Sequence, residues 1–341
     1  MIDEIIQNDL DEIKNRVHDA RGFFDGKTFL VTGGAGFLGS WICDILLKIG
    51  AKVICQDNYS SGLHSNIDHL IDKKQFKFVN DDIRENAPKE KIDGIFHLAG
   101  RASPEDYNLH QVETLLTNSE GIKKVLELAN ENNCVCLYSS TSEIYGDAKI
   151  IPTPESYWGN VNSIGERSCY DEGKRYGEAL CMAFFREHNT NVKIVRIFNT
   201  YGPRIRPDGP YGRALSRFVL NALNGENISI YGDGEQTRSF SYVSDTITGI
   251  LLFMSSKTQE IIFNIGNEKE LTIKQLANSI VQKINSKTKI VHLEKMPDDP
   301  RRRRPEISKA EKILGWKPEI PFEVGLEKTI QWMSKNKDNY S

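Results

Sequence analysis

The feature that most constrains the fold is a glycine-rich turn between an apolar run at residues 28–32 and an apolar helical pattern that extends to about residue 49. The first glycine of such a turn permits a tight bend, the second lets backbone amides approach a diphosphate, and the third allows close helix packing. The helix start also presents N–H donors and a positive dipole end to an anion. A dinucleotide-binding turn is therefore predicted, although a turn that only joins strand to helix has the same spacing. The predicted contacts are Gly33, Gly36, Phe37, Leu38 and Gly39.

Apolar runs of strand length alternate with helical patterns along the first 200 residues. This alternation favours right-handed crossovers, so it predicts an α/β fold of the Rossmann type, a doubly wound parallel sheet with helices on both faces. Residues 27–200 are predicted to form mainly the dinucleotide-binding domain. Residues 201–341 are predicted to form mainly a smaller, partly interleaved α/β substrate lobe, with segments that return to the first domain. The predicted strands are 28–32, 52–57, 76–79, 92–98, 134–139 and 192–198.

Composition and charge exclude several classes of protein. A net charge of −3 over 341 residues gives no general attraction to nucleic acid or to an anionic membrane. No apolar run approaches the roughly 20 residues that cross a bilayer, and residues 1–26 carry too many charges for a signal peptide, so we expect a cytoplasmic protein. Within residues 1–26, an apolar stripe from Ile5 to Val17 predicts an amphipathic helix that packs on the body or contacts a partner. The seven histidines show no metal-ligand spacing, and the six cysteines form no Cys-x-x-Cys pair, which favours buried thiols.

An acidic residue at the end of the second predicted strand bears on the choice of dinucleotide. Asp57 lies 24 residues after Gly33, where its carboxylate can accept hydrogen bonds from an adenosine ribose and would repel a ribose 2′-phosphate. The sequence therefore predicts NAD rather than NADP, with Asn58 beside the ribose. Asp82 and Ile83 follow the third predicted strand and either border the adenine or lie in an ordinary loop.

A tyrosine and a lysine four residues apart predict acid–base chemistry on an alcohol. Tyr170 and Lys174 lie one turn apart on one face of a helix, so the ammonium can approach the phenol and lower its pKa from about 10. A phenolate formed in this way can take a proton from a substrate hydroxyl. Thr141, Ser142 and Glu143 follow a predicted strand and bring hydroxyls and a carboxylate to the edge where ligands bind.

The glycine turn together with Tyr170-x-x-x-Lys174 resembles the extended short-chain dehydrogenase/reductase family. Five longer segments are similar to the UDP-glucuronate decarboxylases, also called UDP-xylose synthases, within that family. The resemblance covers roughly residues 27–332. The five segments are 157–162, 167–175, 196–204, 236–240 and 298–305.

The resemblance implies roles for individual residues. Tyr170 would be the base, Lys174 its activator and a ligand of the nicotinamide ribose, and Thr141 the hydroxyl that positions the reacting sugar oxygen. Glu143 and Arg238 would lie near the C5 substituent of the sugar. For these implied contacts the alternatives are structural roles: turn capping, packing, ordinary salt bridges or a solvated basic turn. The implied substrate contacts are Tyr107, Ser142, Asn199, Arg204, Arg213, Tyr231, Arg238 and Arg302.

The family implies decarboxylation of UDP-glucuronate to UDP-xylose through a 4-keto sugar, with tightly bound NAD. A 4-epimerase of UDP-glucuronate or a UDP-hexose is the alternative. Glu143 favours the decarboxylase, because related epimerases tend to have a small hydroxyl residue there. A catalytically silent NAD-binding regulatory protein is the second alternative. The resemblance also implies a homodimer, through the helix around 112–129 and the helix that carries Tyr170.

Two segments depart from the family pattern. Gly100 and Arg101 replace a proline-containing string, and we expect them to bring a charge near the sugar pocket. Residues 208–218 form a segment that is longer and more basic than its usual counterpart. Both changes concern the sugar pocket rather than the residues of hydride transfer.

Overall fold

The computed structural model describes residues 2–284, 287–295 and 300–340. Asp298 and Asp299, which belong to one of the segments that carry the family resemblance, lie outside the described residues. Within the described residues, no helix has both the length and the apolar character that crossing a membrane requires.

The first half of the chain alternates strands and helices, as its apolar pattern predicts. Five of the six strands are buried at every residue or at all but one terminal residue, as expected for a sheet covered on both faces. The helices are α1 (Glu4–Arg16), α2 (Arg21–Phe24), α3 (Phe37–Lys48), α4 (Pro104–Leu109), α5 (Gln111–Leu116), α6 (Ile122–Glu131) and α7 (Ser168–His188). The strands are β1 (Thr28–Thr32), β2 (Lys52–Asp57), β3 (Phe76–Asn80), β4 (Gly94–His97), β5 (Val135–Thr141) and β6 (Val192–Ile197).

The second half of the chain has shorter strands and fewer regular connections. Its helices are α8 (Ala214–Asn224), α9 (Val243–Ser255), α10 (Ile273–Ile284), α11 (Ser308–Leu314) and α12 (Phe322–Asn336). Its strands are β7 (Thr200–Tyr201), β8 (Ile228–Tyr231), β9 (Thr237–Ser239), β10 (Ser241–Tyr242), β11 (Ile262–Ile265), β12 (Glu270–Thr272), β13 (Ile290–Leu293) and β14 (Arg302–Arg303).

Seven strands form one parallel sheet in the order β11-β6-β5-β4-β1-β2-β3. The order reverses beside β1, so the predicted Rossmann-type fold is confirmed, and its crevice lies at the carboxyl ends of β1 and β4. β5 runs two residues beyond its predicted end, because Ser140 and Thr141 pair with Arg196 and Ile197 of β6. Thr141 is therefore the last residue of a central strand, which fixes its backbone at the ligand-binding edge.

The chain returns to the central sheet after it has begun the smaller lobe. β11 pairs with β6 at the edge of the sheet, whereas the remaining strands of the second half form small sheets of their own. In one of these, β9 lies between β12 and β14. The parallel pairing of β14 with β9 sets Arg303 opposite Arg238, which brings two arginines from distant parts of the sequence together.

The amino-terminal amphipathic helix forms as α1 and packs on the body. Its stripe includes Ile6, Leu10 and Ile13, all buried. Asp9, on the same face, is fully buried and accepts hydrogen bonds from the Tyr242 hydroxyl at 2.6 Å and from Lys328 Nζ at 2.5 Å. A buried carboxylate needs such partners, so these bonds fix α1 against the second lobe.

Candidate active site

A cavity of about 570 Å³ lies between the carboxyl edge of the central sheet and the smaller lobe. Its walls come from both parts of the molecule, and it is large enough to hold a small-molecule ligand. From the sheet side it is lined by Gly33, Gly36, Phe37, Leu38, Gly39, Ser139, Ser140, Thr141, Ser142, Glu143, Tyr170 and Lys174. From the smaller lobe it is lined by, among others, Asn199, Arg206, Tyr211, Arg213, Tyr231, Arg238 and Arg303.

The glycine turn connects β1 to α3 with a geometry that only glycine permits. Gly33 has φ +69°, and a Cβ there would lie 2.7 Å from the backbone nitrogen of Ala99. A Cβ on Gly39 would lie 2.1 Å from the carbonyl oxygen of Gly33. The first turn of α3 consequently sits close to β1, with its amino end at the cavity. This cradle fits the diphosphate of a dinucleotide, which would accept from the helix amides.

Asp57 ends β2 directly beside the glycine turn. Its carboxylate accepts from the backbone N–H of Ala35 at 3.0 Å and of Tyr59 at 2.8 Å. Burial raises the pKa of Asp57, and these two amides offset part of that rise. The carboxylate is therefore fixed at the position that the sequence predicts for a ribose partner.

None of the residues predicted for the adenine side, Asp57 included, lines the cavity. Asn58 Nδ2 donates to Asp82 Oδ2 at 3.1 Å, and Arg84 pairs with the same carboxylate at 2.6 Å. Ile83 is buried in an apolar cluster with Leu30. Asn58 and Asp82 thus brace each other at the surface, while Ile83 belongs to the core.

Tyr170 lies in the first turn of α7, and its side chain is buried in the cavity wall. Burial raises the pKa of Tyr170 to about 12, while the Arg213 charge and a hydrogen bond with Thr141 lower it in part. The ring of Tyr107 stacks on the Tyr170 ring with centroids 5.0 Å apart and planes 4° from parallel. This stacking fixes the orientation of the phenol toward the cavity.

The structure differs from the sequence prediction for Lys174. Its Nζ donates to the carbonyl oxygen of Ser139 at 2.9 Å and lies 4.9 Å from the centroid of the Tyr138 ring. Burial lowers the pKa of Lys174 to about 8. The helical spacing sets the face on which Lys174 lies, but its long stem lets the ammonium reach a carbonyl of β5. Arg213, rather than Lys174, is the charge that most lowers the pKa of Tyr170.

Glu143 lies in the short turn after β5, with its carboxylate between two arginines. One oxygen, Oε2, accepts from Arg167 Nη2, and the other, Oε1, accepts from Arg303 Nη1. Burial alone would raise the pKa of Glu143, but the charges of Arg303, Arg167 and Arg238 outweigh it and hold the pKa below its usual value. Glu143 is consequently an ionised carboxylate within a cluster of positive charge.

Sequence reasoning missed the role of Arg303 and assigned a substrate contact to its neighbour Arg302. Arg302 instead faces the surface and pairs with Glu270, with N–O distances of 3.1 and 2.5 Å. Successive side chains on a strand point to opposite faces, so in β14 only Arg303 faces the cavity. The prediction for Arg302 is corrected to Arg303 for this reason. The alternation itself was the available signal, but its phase depends on the pairing of β14 with β9.

Arg167 was also missed, although it lies three residues before Tyr170 and so on the same helix face. Besides Glu143, it approaches a second carboxylate, with its Nε 3.7 Å from Asp171 Oδ2. Burial and the charge of Glu143 raise the pKa of Asp171 to about 7. Asp171 does not line the cavity, but its charge contributes to the raised pKa of Tyr170.

The predicted contact at Arg204 is likewise corrected, because its side chain does not line the cavity. Its guanidinium is buried, with Nη1 2.6 Å from Asp44 Oδ2, and lies over the ring of Trp41. Removing a charge from water requires a close counter-ion, and Asp44 on α3 provides it. Arg204 thus joins α3 to the turn after β7.

Arg101 does not bring its charge into the sugar pocket as expected. Its Nη1 is 2.6 Å from Asp106 and donates to the carbonyl oxygen of Ser60 at 3.3 Å, and its Nη2 is 3.2 Å from Glu113. Its neighbour Gly100 does line the cavity. Arg101 turns away from the cavity because two carboxylates of α4 and α5 lie on the other side.

Comparison with known proteins identifies relatives of this chain. A model of the NAD dependent epimerase/dehydratase family matches residues 29–266. UDP-glucuronic acid decarboxylase 1 from Xenopus tropicalis is 44% identical over 311 residues, which cover 91% of this chain and 73% of the relative. UDP-glucuronic acid decarboxylase 3 from Arabidopsis thaliana is 45% identical over 298 residues, which cover 87% of this chain and 86% of the relative. The solved structure of UDP-glucuronic acid 4-epimerase from Bacillus cereus, in complex with UDP-glucuronic acid and NAD, is 27% identical with a TM-score of 0.82, covering 91% of this chain and 99% of that one.

Proposed function

The chain belongs to the NAD-dependent epimerase/dehydratase family, and we propose that it decarboxylates UDP-glucuronate to UDP-xylose. The observation that carries this proposal is the carboxylate of Glu143, held in the cavity wall between Arg167 and Arg303. Relatives at 43–45% identity are UDP-glucuronic acid decarboxylases, which supports the same assignment.

NAD is the cofactor of the proposed reaction and, when bound, accepts a hydride from C4 of the sugar and later returns it. The glycine turn would hold its diphosphate against the start of α3. Asp57 would accept from the hydroxyls of the adenosine ribose and disfavour a 2′-phosphate. The Lys174 ammonium carries three N–H donors. One donates to the carbonyl of Ser139, and the others would serve the second ribose and the phenol.

The first chemical step is removal of the C4 hydroxyl proton by Tyr170. Burial disfavours the phenolate, so positive charge and hydrogen-bond donors around the phenol must offset that cost. Arg213 and Thr141 provide part of the compensation, and the Lys174 ammonium would add to it. The Thr141 hydroxyl, at the end of β5, would also hold the sugar oxygen in line with the phenol.

The second step is loss of carbon dioxide from the 4-keto sugar. The ketone at C4 is β to the C5 carboxylate, so the electron pair of the breaking C5–C bond delocalises into the ketone as an enolate. Arg303 Nε and Nη2 are buried and have no hydrogen-bond partner within the described part of the chain, whereas Nη1 is bonded to Glu143. The two remaining donors would hold the substrate carboxylate in a bidentate manner. Glu143 fixes the direction in which they point.

The cycle closes when a proton is added to C5 and hydride returns to C4. Tyr170 then gives its proton to the C4 oxygen. The balance is one UDP-glucuronate and one proton consumed, and one UDP-xylose and one carbon dioxide formed, with no net change in NAD. The residues of the site thus serve to hold the dinucleotide, to position the sugar or to move a proton.

Product analysis tests this function. The purified protein is incubated with UDP-glucuronate and NAD, and the products are identified by mass spectrometry and NMR while labelled carbon dioxide is collected. We expect UDP-xylose and equimolar carbon dioxide. Formation of UDP-galacturonate without carbon dioxide would show a 4-epimerase instead, and a protein that binds NAD without any turnover would be regulatory.

We further propose a homodimer and a cytoplasmic location. Apolar side chains on neighbouring helices support the dimer, since Val112 of α5 is 71% exposed and Tyr176 of α7 is 49% exposed. Such a patch is unusual on a surface that faces only water. Light scattering of the wild type and a Val112→Asp variant tests the dimer. A wild-type monomer would contradict it.

The cysteines support the cytoplasmic location. All six are free and buried, which suits a reducing compartment.

A further inference from the structure

A segment of the smaller lobe lines the cavity and contacts the loop that follows β2. We call residues 206–213 the strap. They lie between β7 and α8, and Arg206, Tyr211 and Arg213 of the strap line the cavity. Most of the strap falls within residues 208–218, the stretch that we expect to be longer and more basic than its family counterpart.

The strap is tied to the loop that follows β2. Arg206 Nη1 donates to the carbonyl oxygen of Ser61 at 3.1 Å, and the Tyr211 hydroxyl donates to that of Ser60 at 3.3 Å. The Arg206 guanidinium lies 3.5 Å from the centroid of the Tyr211 ring. Asp208 accepts from Arg206 Nε at 3.0 Å. The two side chains thus form one stacked unit that binds two consecutive carbonyls.

The loop after β2 in turn rests on the glycine turn. The backbone N–H of Leu63 donates to the carbonyl oxygen of Ala35 at 3.0 Å. A Cβ on Gly62 would lie 3.0 Å both from the Cβ of Ala35 and from Asp57 Oδ1. The loop therefore has little room to shift unless the glycine turn and the predicted ribose partner shift with it.

The strap is also bonded to the segment at the start of α4. Ser103 Oγ donates to the carbonyl oxygen of Pro210 at 2.7 Å, and Arg213 Nη2 donates to that of Ala102 at 3.1 Å. These bonds hold the strap to the segment at the start of α4. The strap thus contacts two loops of the first domain, and three of its residues line the cavity.

We propose that Arg206 and Tyr211 are positioning residues that hold the loop after β2 over the dinucleotide and so retain NAD through both hydride transfers. The proposal rests on NAD as the cofactor of the proposed function. A closed redox cycle needs the same dinucleotide for oxidation and reduction. If the reduced cofactor dissociates before it returns the hydride, the sugar remains as the ketone. The loop after β2 is restrained by the two hydrogen bonds from Arg206 and Tyr211, and the cation–π contact between these side chains holds them in place.

The experiment measures NAD exchange in the absence of sugar nucleotide. Wild type, Arg206→Ala and Tyr211→Phe are loaded with NAD, separated from free cofactor, and mixed with isotopically labelled NAD, and the bound label is followed by mass spectrometry. We expect exchange to be roughly tenfold faster in Arg206→Ala, which loses the stack on Tyr211 and the one bond from Arg206 to the loop after β2. Tyr211→Phe, which loses only the hydroxyl, should be faster by a smaller factor and tests the proposal even if the first variant folds poorly.

Lys309→Ala is the matched control. Like Arg206, Lys309 donates to a backbone carbonyl, that of Ile262 at 2.9 Å, and pairs with a carboxylate, Glu260 at 2.5 Å, but it does not line the cavity. Its exchange rate should equal that of the wild type. Equal acceleration in the control and in Arg206→Ala would overturn the proposal, because the effect would then be general loosening.

Turnover gives a second readout. In Arg206→Ala, free reduced NAD should appear during reaction with UDP-glucuronate, and added NAD should restore the rate, whereas KM for the sugar nucleotide stays within about twofold. Unchanged NAD exchange with a raised KM would assign the strap to the sugar nucleotide and overturn the proposal. A wild type that exchanges NAD slowly but releases no carbon dioxide would refute the proposed function alone.

Discussion

Replacing Glu143 by glutamine should separate oxidation of the sugar from its decarboxylation. Glu143→Gln keeps the shape of the side chain but removes its charge. In the structure this side chain is 14% exposed and bonds to both Arg167 and Arg303. Hydrogen bonds to charged groups contribute about 1.5–3 kcal/mol each, and the amide keeps only one oxygen that can accept from an arginine, more weakly than the carboxylate, so we expect a loss of about 2–4 kcal/mol. If this loss is added to the activation free energy of decarboxylation, carbon dioxide release slows roughly 30- to 1000-fold.

The oxidation step should be spared by the same substitution. Glu143 raises the pKa of Tyr170 through its charge, so a neutral glutamine would slightly favour the phenolate. Substrate-dependent reduction of bound NAD should therefore proceed at the wild-type rate or faster. The 4-keto sugar would accumulate, and rotation of that ketone before hydride returns would yield a trace of UDP-galacturonate.

One single-turnover experiment measures both steps. Absorbance of bound reduced NAD reports oxidation, and labelled carbon dioxide trapped at the same times reports decarboxylation. Glu172→Gln is the control, since Glu172 pairs with Arg175 at 3.3 Å on the outer side of α7, and both of its rates should match the wild type. If Glu143→Gln leaves carbon dioxide release unchanged relative to oxidation, the role given to the arginine-held carboxylate is refuted.

Three further substitutions test other parts of the site. Tyr170→Phe should retain NAD and substrate binding but lose roughly a hundredfold or more in kcat, as expected without a general base; near-normal turnover would remove Tyr170 from this role. Arg303→Ala should raise KM for UDP-glucuronate at least tenfold, whereas Arg302→Ala should change it less than about twofold, because only one of the two side chains lines the cavity; equal effects in steady-state assays would contradict the strand alternation. The folded-state pKa of Asp171 is raised to about 7, so its contribution to stability is present below about pH 4 and is lost as the pH rises through 7. Asp171→Asn should therefore be more stable than wild type at pH 8, by up to about 4 kcal/mol, and show a smaller gain at pH 5 in urea unfolding; a gain that grows toward acid pH would contradict this sign.

Local patterns were sufficient to predict the central fold. The glycine turn, the strand-length apolar runs and the one-turn spacing of Tyr170 and Lys174 are each read within a few neighbouring residues, and they correspond to β1, α3 and α7 in the structure. Parallel strands with helical crossovers allow few arrangements. Because of that restriction, the sequence also predicts that Thr141 lies at the ligand-binding edge of the sheet.

Side-chain direction in the smaller lobe could not be predicted in the same way. Whether Arg302 or Arg303 faces the cavity depends on pairing with β9, more than 60 residues earlier in the sequence. The direction of Arg204 depends on a buried carboxylate, Asp44, in a distant helix. The Lys174 ammonium is directed by a carbonyl of β5, Ser139. In each case a partner distant in sequence decides the direction.

The measurement that tests the central claim most directly is the fate of the C4 hydrogen during a complete reaction. UDP-glucuronate deuterated at C4 is converted in ordinary water, and the product is examined by NMR and mass spectrometry. A closed redox cycle predicts a UDP-pentose that retains deuterium at C4, carries a new solvent hydrogen at C5 and forms with equimolar carbon dioxide. A product that has lost the C4 deuterium, or one that keeps the carboxylate, would contradict the account.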